Sequence, residues 1–520
     1  MSVPLKAVIG ELKLDRCFSG FCFAQKFFPF VKWRGICTFV GLLKTGKMAQ
    51  TETNIATKTD QKRSARLGTQ PVASLLAEYA LPAIVAMIAS SLYNIVDRIF
   101  IGNGVGPYAI AGLSIAMPIM NLTTAFGSML GVGSSSLISI RLGQKRHEEA
   151  KQVLGTTFLL NMMVGLLVCV FGLIWLEPIL QLFGASEQVL PYAKEFMQVI
   201  LIANVFNHNF LGFNAVMRAT GYPRKAMMST FLTVIVNVVL APLFIFVFDW
   251  GIRGAALATA CAQFCGFVWV MTHFCNPKND LHFEKKYFRL IGKVIADIVS
   301  IGSSNFLMHA CTCIMVIILN SSLVHYGGAE GDMAIAAYGI CNSVVMLFLM
   351  VVIGLNQGMQ PIVGYNFGAR LNERMMQAYR LTIVVATAVT TFGFLIGELF
   401  PRSIVSLFTN DETLIRLSTT CLRTILISFP VVGFQMVTTT FFQSVGKAAW
   451  SIFLSLSRQL IFLIPALIIL PRIFGFSGVW AALPTGDILA SVLTLIVIVL
   501  KMKQFTKVPR ELTKETNSQL

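Results

Sequence analysis

The chain has 520 residues, 55% of them hydrophobic and only 12% charged, and a mean hydropathy of +0.73. That balance excludes an ordinary soluble domain and points to helices of about 20 apolar residues, each long enough to cross a bilayer. The net charge of +17 would suit a nucleic-acid partner, but the basic residues fall in alternate short loops, as in an oriented membrane protein, so none is expected.

Residues 1–47 are rich in Phe, Cys and Lys, and Lys26-Phe27-Phe28-Pro29 and Lys32-Trp33-Arg34 interrupt any apolar run. They lack the layout of a secretory signal. Met48 opens a polar stretch that continues to Gln70 and reads as a disordered cytoplasmic tail. Residues 1–70 are therefore expected to be extension and tail, with 1–47 outside the working protein.

From residue 79 twelve spans follow, at roughly 79–101, 109–140, 152–175, 190–216, 226–248, 253–274, 293–320, 334–364, 377–398, 414–441, 449–470 and 476–500. Prolines inside them, such as Pro82, Pro242, Pro361, Pro430 and Pro465, are tolerated where neighbouring helices re-satisfy the backbone. The first span closes on Leu92-Tyr93-Asn94-Ile95-Val96-Asp97-Arg98-Ile99-Phe100-Ile101-Gly102. A carboxylate within a span costs on the order of 3 kcal/mol, so Asp97 is a functional candidate by default.

The six histidines and eleven cysteines form no metal-ligand spacing, and Cys261, Cys265, Cys311 and Cys313 read as small buried hydrophobes. No metal and no cofactor is expected. Gly131-Val132-Gly133 is no nucleotide loop, because no soluble strand–turn–helix unit surrounds it. An enzyme would show a nucleophile–base pair or a His/Asp/Glu cluster at one membrane face. None stands out, so catalysis is not expected.

Orientation follows from Lys and Arg. Twenty-five of them fall in the tail from Met48 on, the loops on its side and the C-terminal segment, against only Arg253, Arg402 and Arg472 opposite. Both termini are therefore expected in the cytoplasm. The chain also repeats itself. At an offset of 225, Ala109-Ile110-Ala111 matches Ala334-Ile335-Ala336, Gly133 matches Gly358, Gly143 matches Gly368, Leu182-Phe183 matches Leu407-Phe408, and Gly221 matches Gly446. At 224, Gly251 and Gly254 match Gly475 and Gly478. The fold class is an all-α membrane protein of two six-helix lobes, 71–275 and 293–500, with a cytoplasmic linker at 276–292 and a C-terminal tail at 501–520. Parallel repeats of this kind place a substrate site between the halves.

Arg458 and Asp487 lie on consecutive spans. Counted along each helix at about 1.5 Å per residue, they fall at one depth. Opposite charges at one depth should pair, because either alone is costly. The pair is either structural or a second ionisable site.

The first-span motif Leu92–Gly102 resembles that of the multidrug and toxic compound extrusion (MATE) transporters. Gly354-Leu355-Asn356-Gln357-Gly358-Met359-Gln360-Pro361-Ile362-Val363-Gly364-Tyr365-Asn366-Phe367-Gly368-Ala369 resembles their eighth-helix signature. Ser457-Arg458-Gln459 with Pro465 and Leu470-Pro471 is similar to the eleventh helix of the MepA-like branch. The resemblance covers residues 71 to about 505 and implies two lobes forming a V. It implies a secondary active antiporter at the cell membrane (the inner membrane of a bacterium) that exports organic, often cationic, compounds in exchange for H⁺ or Na⁺. Small organic molecules and the lipid bilayer are the expected partners, and the protein is expected to be monomeric.

Carried over residue by residue, the resemblance makes Asp97, Asn237 and Thr259 the cation- or proton-coupling set. Ala241 departs from the many members that are acidic there. One carboxylate is a poor cage for a hard cation, which favours protons. Asn207 and His208 on the fourth span, and Gln357 and Gln360 on the eighth, either line a substrate path or bond helix to helix. The alternative function is a flippase for lipids or lipid-linked oligosaccharides, although the spans carry few basic residues, chiefly Arg98, Arg423 and Arg458.

Overall fold

The computed structural model describes residues 65–506. The expectations about residues 1–64 and 507–520 lie outside the described residues. Among these, all regular structure is helical. Eleven helices are long and apolar enough to cross a membrane, or twelve if one bent pair counts as a single span. They are α1 (Val72–Gly104), α2 (Pro107–Gly143), α3 (His147–Ile174), α4 (Leu190–Ala219), α5 (Pro223–Val247), α6 (Gly251–Phe274), α7 (Gly292–Gly327), α8 (Gly331–Gly368), α9 (Asn372–Leu399), α10 (Glu412–Leu426 and Phe429–Ser444), α11 (Ala448–Phe474) and α12 (Phe476–Thr506). Helices 1–6 form the N-lobe and 7–12 the C-lobe.

The backbone repeats as the sequence does. Two left-handed non-glycine residues, Lys145 (φ 60°) and Arg370 (φ 60°), sit in turns related by the offset between the two halves. Gly221 (φ 94°) and Gly446 (φ 74°) end α4 and α10 at the same spacing, where the left-handed conformation suits glycine. Short helices Leu176–Leu182 and Pro401–Val405 follow α3 and α9.

Four hydrophobic cores show how the lobes sit. Two contain residues of one lobe only. One is built around Ile101, Phe196, Ile200 and Ala255, the other around Leu319, Val344, Phe429 and Trp480. The other two mix lobes: Leu75, Leu76 and Tyr79 pack with Met359, Met375 and Tyr379, and Ile298 and Ile301 pack with Leu130, Leu137 and Phe213. The mixed cores lie toward the basic loops. The lobes thus join at their basic end and part at the other, which makes a V.

Glycines bring the joined backbones together. A Cβ on Gly133 would stand 2.1 Å from the Ile298 carbonyl oxygen, and one on Gly302 would stand 2.0 Å from that of Met129. Gly354 and Gly358 likewise sit on Ile84 and Ala80 of α1. Without a hydrophobic force between helices in lipid, such close backbone packing is a main source of association.

Several boundaries differ from expectation: α1 begins at Val72 rather than near 79, and α7 runs on to Gly327 rather than 320. Residues 65–70 are packed rather than a free tail. Leu67 is fully buried against α8 and α9, its carbonyl accepts from Asn366 Nδ2 at 3.0 Å, and Arg374 donates to the Gln70 carbonyl. At the other end, α12 runs on to Thr506, beyond the boundary expected at 500. The tenth span, expected over 414–441 with Pro430 inside it, bends by 52° between Leu426 and Phe429. Pro430 has no N–H to continue the ladder and instead sits at the start of the second half. The linker, for its part, docks on α3. Lys151 Nζ meets Glu284 Oε1 at 2.6 Å, Thr156 donates to the Arg289 carbonyl at 2.9 Å, and Phe158 packs on Phe283 and Phe288.

Candidate functional site

Two cavities flank the seam. One, of about 280 Å³, lies mainly in the N-lobe; the other, of about 300 Å³, lies mainly in the C-lobe. They are copies of one another. Asn214, Arg218, Thr230 and Thr233 line the first, and their counterparts in the sequence repeat, Thr439, Gln443, Ser455 and Arg458, line the second. Gln263 lines the N-lobe cavity, and its counterpart in the other half is Asp487. The shape is shared, but the charge is placed differently. The N-lobe has its cation on α4 and a neutral Thr233–Gln263 combination on α5 and α6. The C-lobe has neutral Gln443 on α10 and the Arg458–Asp487 pair on α11 and α12.

Gln357 and Gln360 line both cavities. They reach from α8 into the N-lobe. Gln360 Nε2 donates to Ser136 Oγ at 2.8 Å and to the Val132 carbonyl at 3.3 Å, and Gln357 Nε2 lies 3.6 Å from Met87 Sδ. Both therefore bond the lobes together as well as facing the cavities. Asn207 lines the N-lobe cavity. His208 is not on that wall. It is fully buried, with Nε2 2.8 Å from the Thr123 carbonyl oxygen and its ring against Gly127.

Asn237 and Thr259 meet directly, Asn237 Nδ2 donating to Thr259 Oγ1 at 3.0 Å. Thr259 Oγ1 in turn donates a hydrogen bond to the Ala255 carbonyl at 3.2 Å, the usual back-bond of a threonine in a helix. Both line the N-lobe cavity together with Tyr93, whose hydroxyl faces Thr259. Asp97 stands one helical turn beyond Tyr93. It is 7% exposed, off the cavity wall, and its Oδ1 has no hydrogen-bond partner among the described residues. Arg98 turns away and donates to Met117 Sδ. An unpaired carboxylate oxygen at this depth is costly. A proton, or a donor brought in by a change of shape, would relieve that cost. Tyr93 is the wall residue nearest Asp97 along α1 that the sequence did not single out; its spacing of four from Asp97 is the signal for a shared face.

Arg458 and Asp487 form the expected pair, with Nε to Oδ1 at 2.7 Å, and both are half-buried. Ser428, in the break of α10, donates to Asp487 Oδ2 at 3.3 Å, so the bend supplies a second partner for the carboxylate. A π-helical turn over Ser457–Leu463 carries Arg458 and Gln459, and such turns re-aim side chains within a helix. Gln459 bonds Thr312 of α7, with Nε2 to Oγ1 at 2.7 Å. Arg218, counted from the sequence among the basic residues of the loop after the fourth span, instead lies in the last turn of α4, where it lines the N-lobe cavity and donates to Asn214, while Asn214 donates to Ser229 at 2.8 Å. Among the described residues, no three His, Cys, Asp or Glu side chains stand close enough together to hold a metal.

The MatE family profile matches residues 82–243 and 305–468, one stretch in each lobe. The multidrug export protein MepA of Staphylococcus aureus is 27% identical over 439 residues, 83% of this chain and 94% of that protein. MepA of Staphylococcus haemolyticus is 26% identical over 420 residues, 81% of this chain and 92% of that protein. A solved structure described as the outward-facing conformation of a multidrug resistance MATE family transporter superposes with a TM-score of 0.81. It is 23% identical, and the match covers 86% of this chain and 99% of that one.

Proposed function

Because the chain belongs to the MatE family of multi-pass membrane transporters, we propose that it exports small organic compounds from the cell in exchange for protons, by alternating access. The observation that carries this reading is the pair of sister cavities beside a seam that is closed only at the basic end. With that end in the cytoplasm, as the charge asymmetry supports, both cavities belong to the outward-facing state. Export then requires the glycine-lined seam to part at the basic end and the far ends to meet.

Asp97 is the coupling group in this reading, and Na⁺ is the less favoured ion. Tyr93, one turn from Asp97 on α1, and the Asn237–Thr259 bond form the stretch of cavity wall beside it. Protonation in the outward-facing state neutralises the carboxylate, and release to the cytoplasm restores it. Proton and substrate are coupled only if each favours a different state of the same protein. The export activity in the names of the MepA proteins supports drug export over a lipid flippase. The protein acts as a monomer in the cell membrane in this reading.

The test is uptake of ethidium into everted vesicles, or its exclusion from cells, with the protein present and absent. An imposed proton gradient should drive it and an imposed Na⁺ gradient should not. Equal accumulation with and without the protein, for ethidium and for a zwitterionic carboxylate dye alike, overturns the proposal.

A further inference from the structure

The two cavities share a shape and differ in charge, and the difference has a chemical meaning. Neither wall carries a carboxylate among the described lining residues, while each carries one guanidinium, Arg218 or Arg458. A site shaped for simple organic cations would present the opposite sign.

Arg458 is the better built of the two. Its Nε is committed to Asp487, which is not among the residues of the cavity wall. The second carboxylate oxygen of Asp487 is occupied by Ser428. Among the described residues Nη1 and Nη2 of Arg458 have no hydrogen-bond acceptor, and the side chain lines the cavity beside Gln435, Thr439 and Gln459. The guanidinium is thus held by one edge and offers its remaining fork of N–H donors to the cavity. That fork matches a carboxylate with two parallel hydrogen bonds. The amides and hydroxyl beside it can satisfy further oxygen atoms. In a membrane such donors are costly to leave unused.

The geometry points to Arg458 as the anchor for a carboxylate group of the exported compound in the C-lobe cavity, with Asp487 as its positioning residue. The preferred substrates are then amphiphilic acids and zwitterions rather than plain cations. This rests on the export reading above and narrows it.

The N-lobe supplies the control. Its counterparts of Arg458 and Asp487 are Thr233 and Gln263, so the double variant Arg458→Thr with Asp487→Gln installs a combination that the same fold already carries in its other half. The probes are a zwitterionic rhodamine with a free carboxylate and the methyl ester of the same dye. Binding to the purified full chain is read by fluorescence polarisation, and efflux from cells is read separately. The wild type should bind the acid at least tenfold more tightly than the ester, and in the double variant that ratio should fall to about one. Arg458→Lys keeps the charge, leaves Asp487 paired and loses the fork; its ratio should fall to about three, which provides a reading should the double variant not fold. A wild type without preference, or either variant with the full preference, overturns the inference. Preferential binding without efflux of either dye would leave the anchor standing and remove the export reading instead.

Discussion

Gly368 rests on the carbonyl oxygen of Ile140, so close that a Cβ there would stand 2.1 Å away. The relationship is mirrored. A Cβ on Gly143 would stand 2.0 Å from the Tyr365 carbonyl oxygen, and both pairs are related by the shift that superposes one half of the sequence on the other. The seam is therefore a near-twofold contact in which each lobe lends a glycine to the other's backbone. Packed backbone cannot move aside as a flexible side chain can, and overpacking costs about 1–3 kcal/mol.

The first prediction follows from that seam. Gly368→Ala should destabilise the form closed at the basic end without unfolding either lobe. A cost of about 1.4 kcal/mol shifts an equilibrium tenfold. The check is maleimide labelling of Ser139→Cys, which lies buried at the seam against Gly364, after removal of the native cysteines. Labelling should rise about tenfold in Gly368→Ala; unchanged labelling would show that the seam absorbs the methyl.

The second prediction concerns Arg458 and Asp487. Asp487→Asn leaves the half-buried guanidinium without its charge partner, at a cost of about 1–3 kcal/mol. The thermal midpoint of the detergent-solubilised protein should fall measurably. Exchanging the two residues, Arg458→Asp with Asp487→Arg, should recover part of the loss. A midpoint unchanged in Asp487→Asn would mean that the pair adds nothing to the fold.

Much of this architecture was legible in the sequence because hydrophobic length and a fixed repeat are carried by many residues at once. The Arg458–Asp487 approach could be read by counting depth along consecutive spans, since burial leaves opposite charges little choice. Leu67 could not be read. It is a single apolar residue among Arg66, Gly68 and Gln70, and no periodicity marks a lone side chain that fills a pocket on the opposite lobe. The break in α10 was hidden because proline is common within spans, and Pro430 looks no different from Pro361, which leaves α8 unbroken. That the cavity wall ends at Tyr93, one turn short of Asp97 on the same face of α1, was equally hidden. Spacing along a helix gives a shared face but not where a cavity stops.

The third prediction is a pH dependence of the linker. Glu284 is partly buried, which raises its pKa, but Lys151 and Lys286 beside it prevail and hold the carboxyl below its ordinary value. A lowered folded-state pKa means that the stabilisation is complete above the usual glutamate value of 4.5 and is lost as the pH falls through the folded value. Docking of residues 276–291 on α3 should thus be constant near neutrality and weaken on acidification below about 4.5. Hydrogen exchange of the linker amides at pH 7, corrected for intrinsic rates, should be faster in Glu284→Gln than in the wild type. Equal protection in the two would remove Glu284 from the docking.

The last prediction is that Asp97 couples transport to protons. Its Oδ1 lacks a partner among the described residues, it is the one acidic residue in the span 79–101, and position 241 is alanine. Asp97→Asn keeps the shape and removes the ionisation. Since no salt bridge holds Asp97 among the described residues, the variant should insert and melt as the wild type does. It should still bind substrate, because the cavity wall is formed by Tyr93, Asn237 and Thr259 rather than by the carboxylate. What it should lose is the work. In proteoliposomes with an imposed proton gradient, the wild type should concentrate the dye against its gradient. Asp97→Asn should bring it only to equal concentrations on the two sides, and adding substrate to the variant should release no protons. Should Asp97→Asn still drive uphill movement at the wild-type rate, the coupling carboxylate lies elsewhere. Asp487, the counterpart of Gln263 in the other lobe, would then be the residue to replace next.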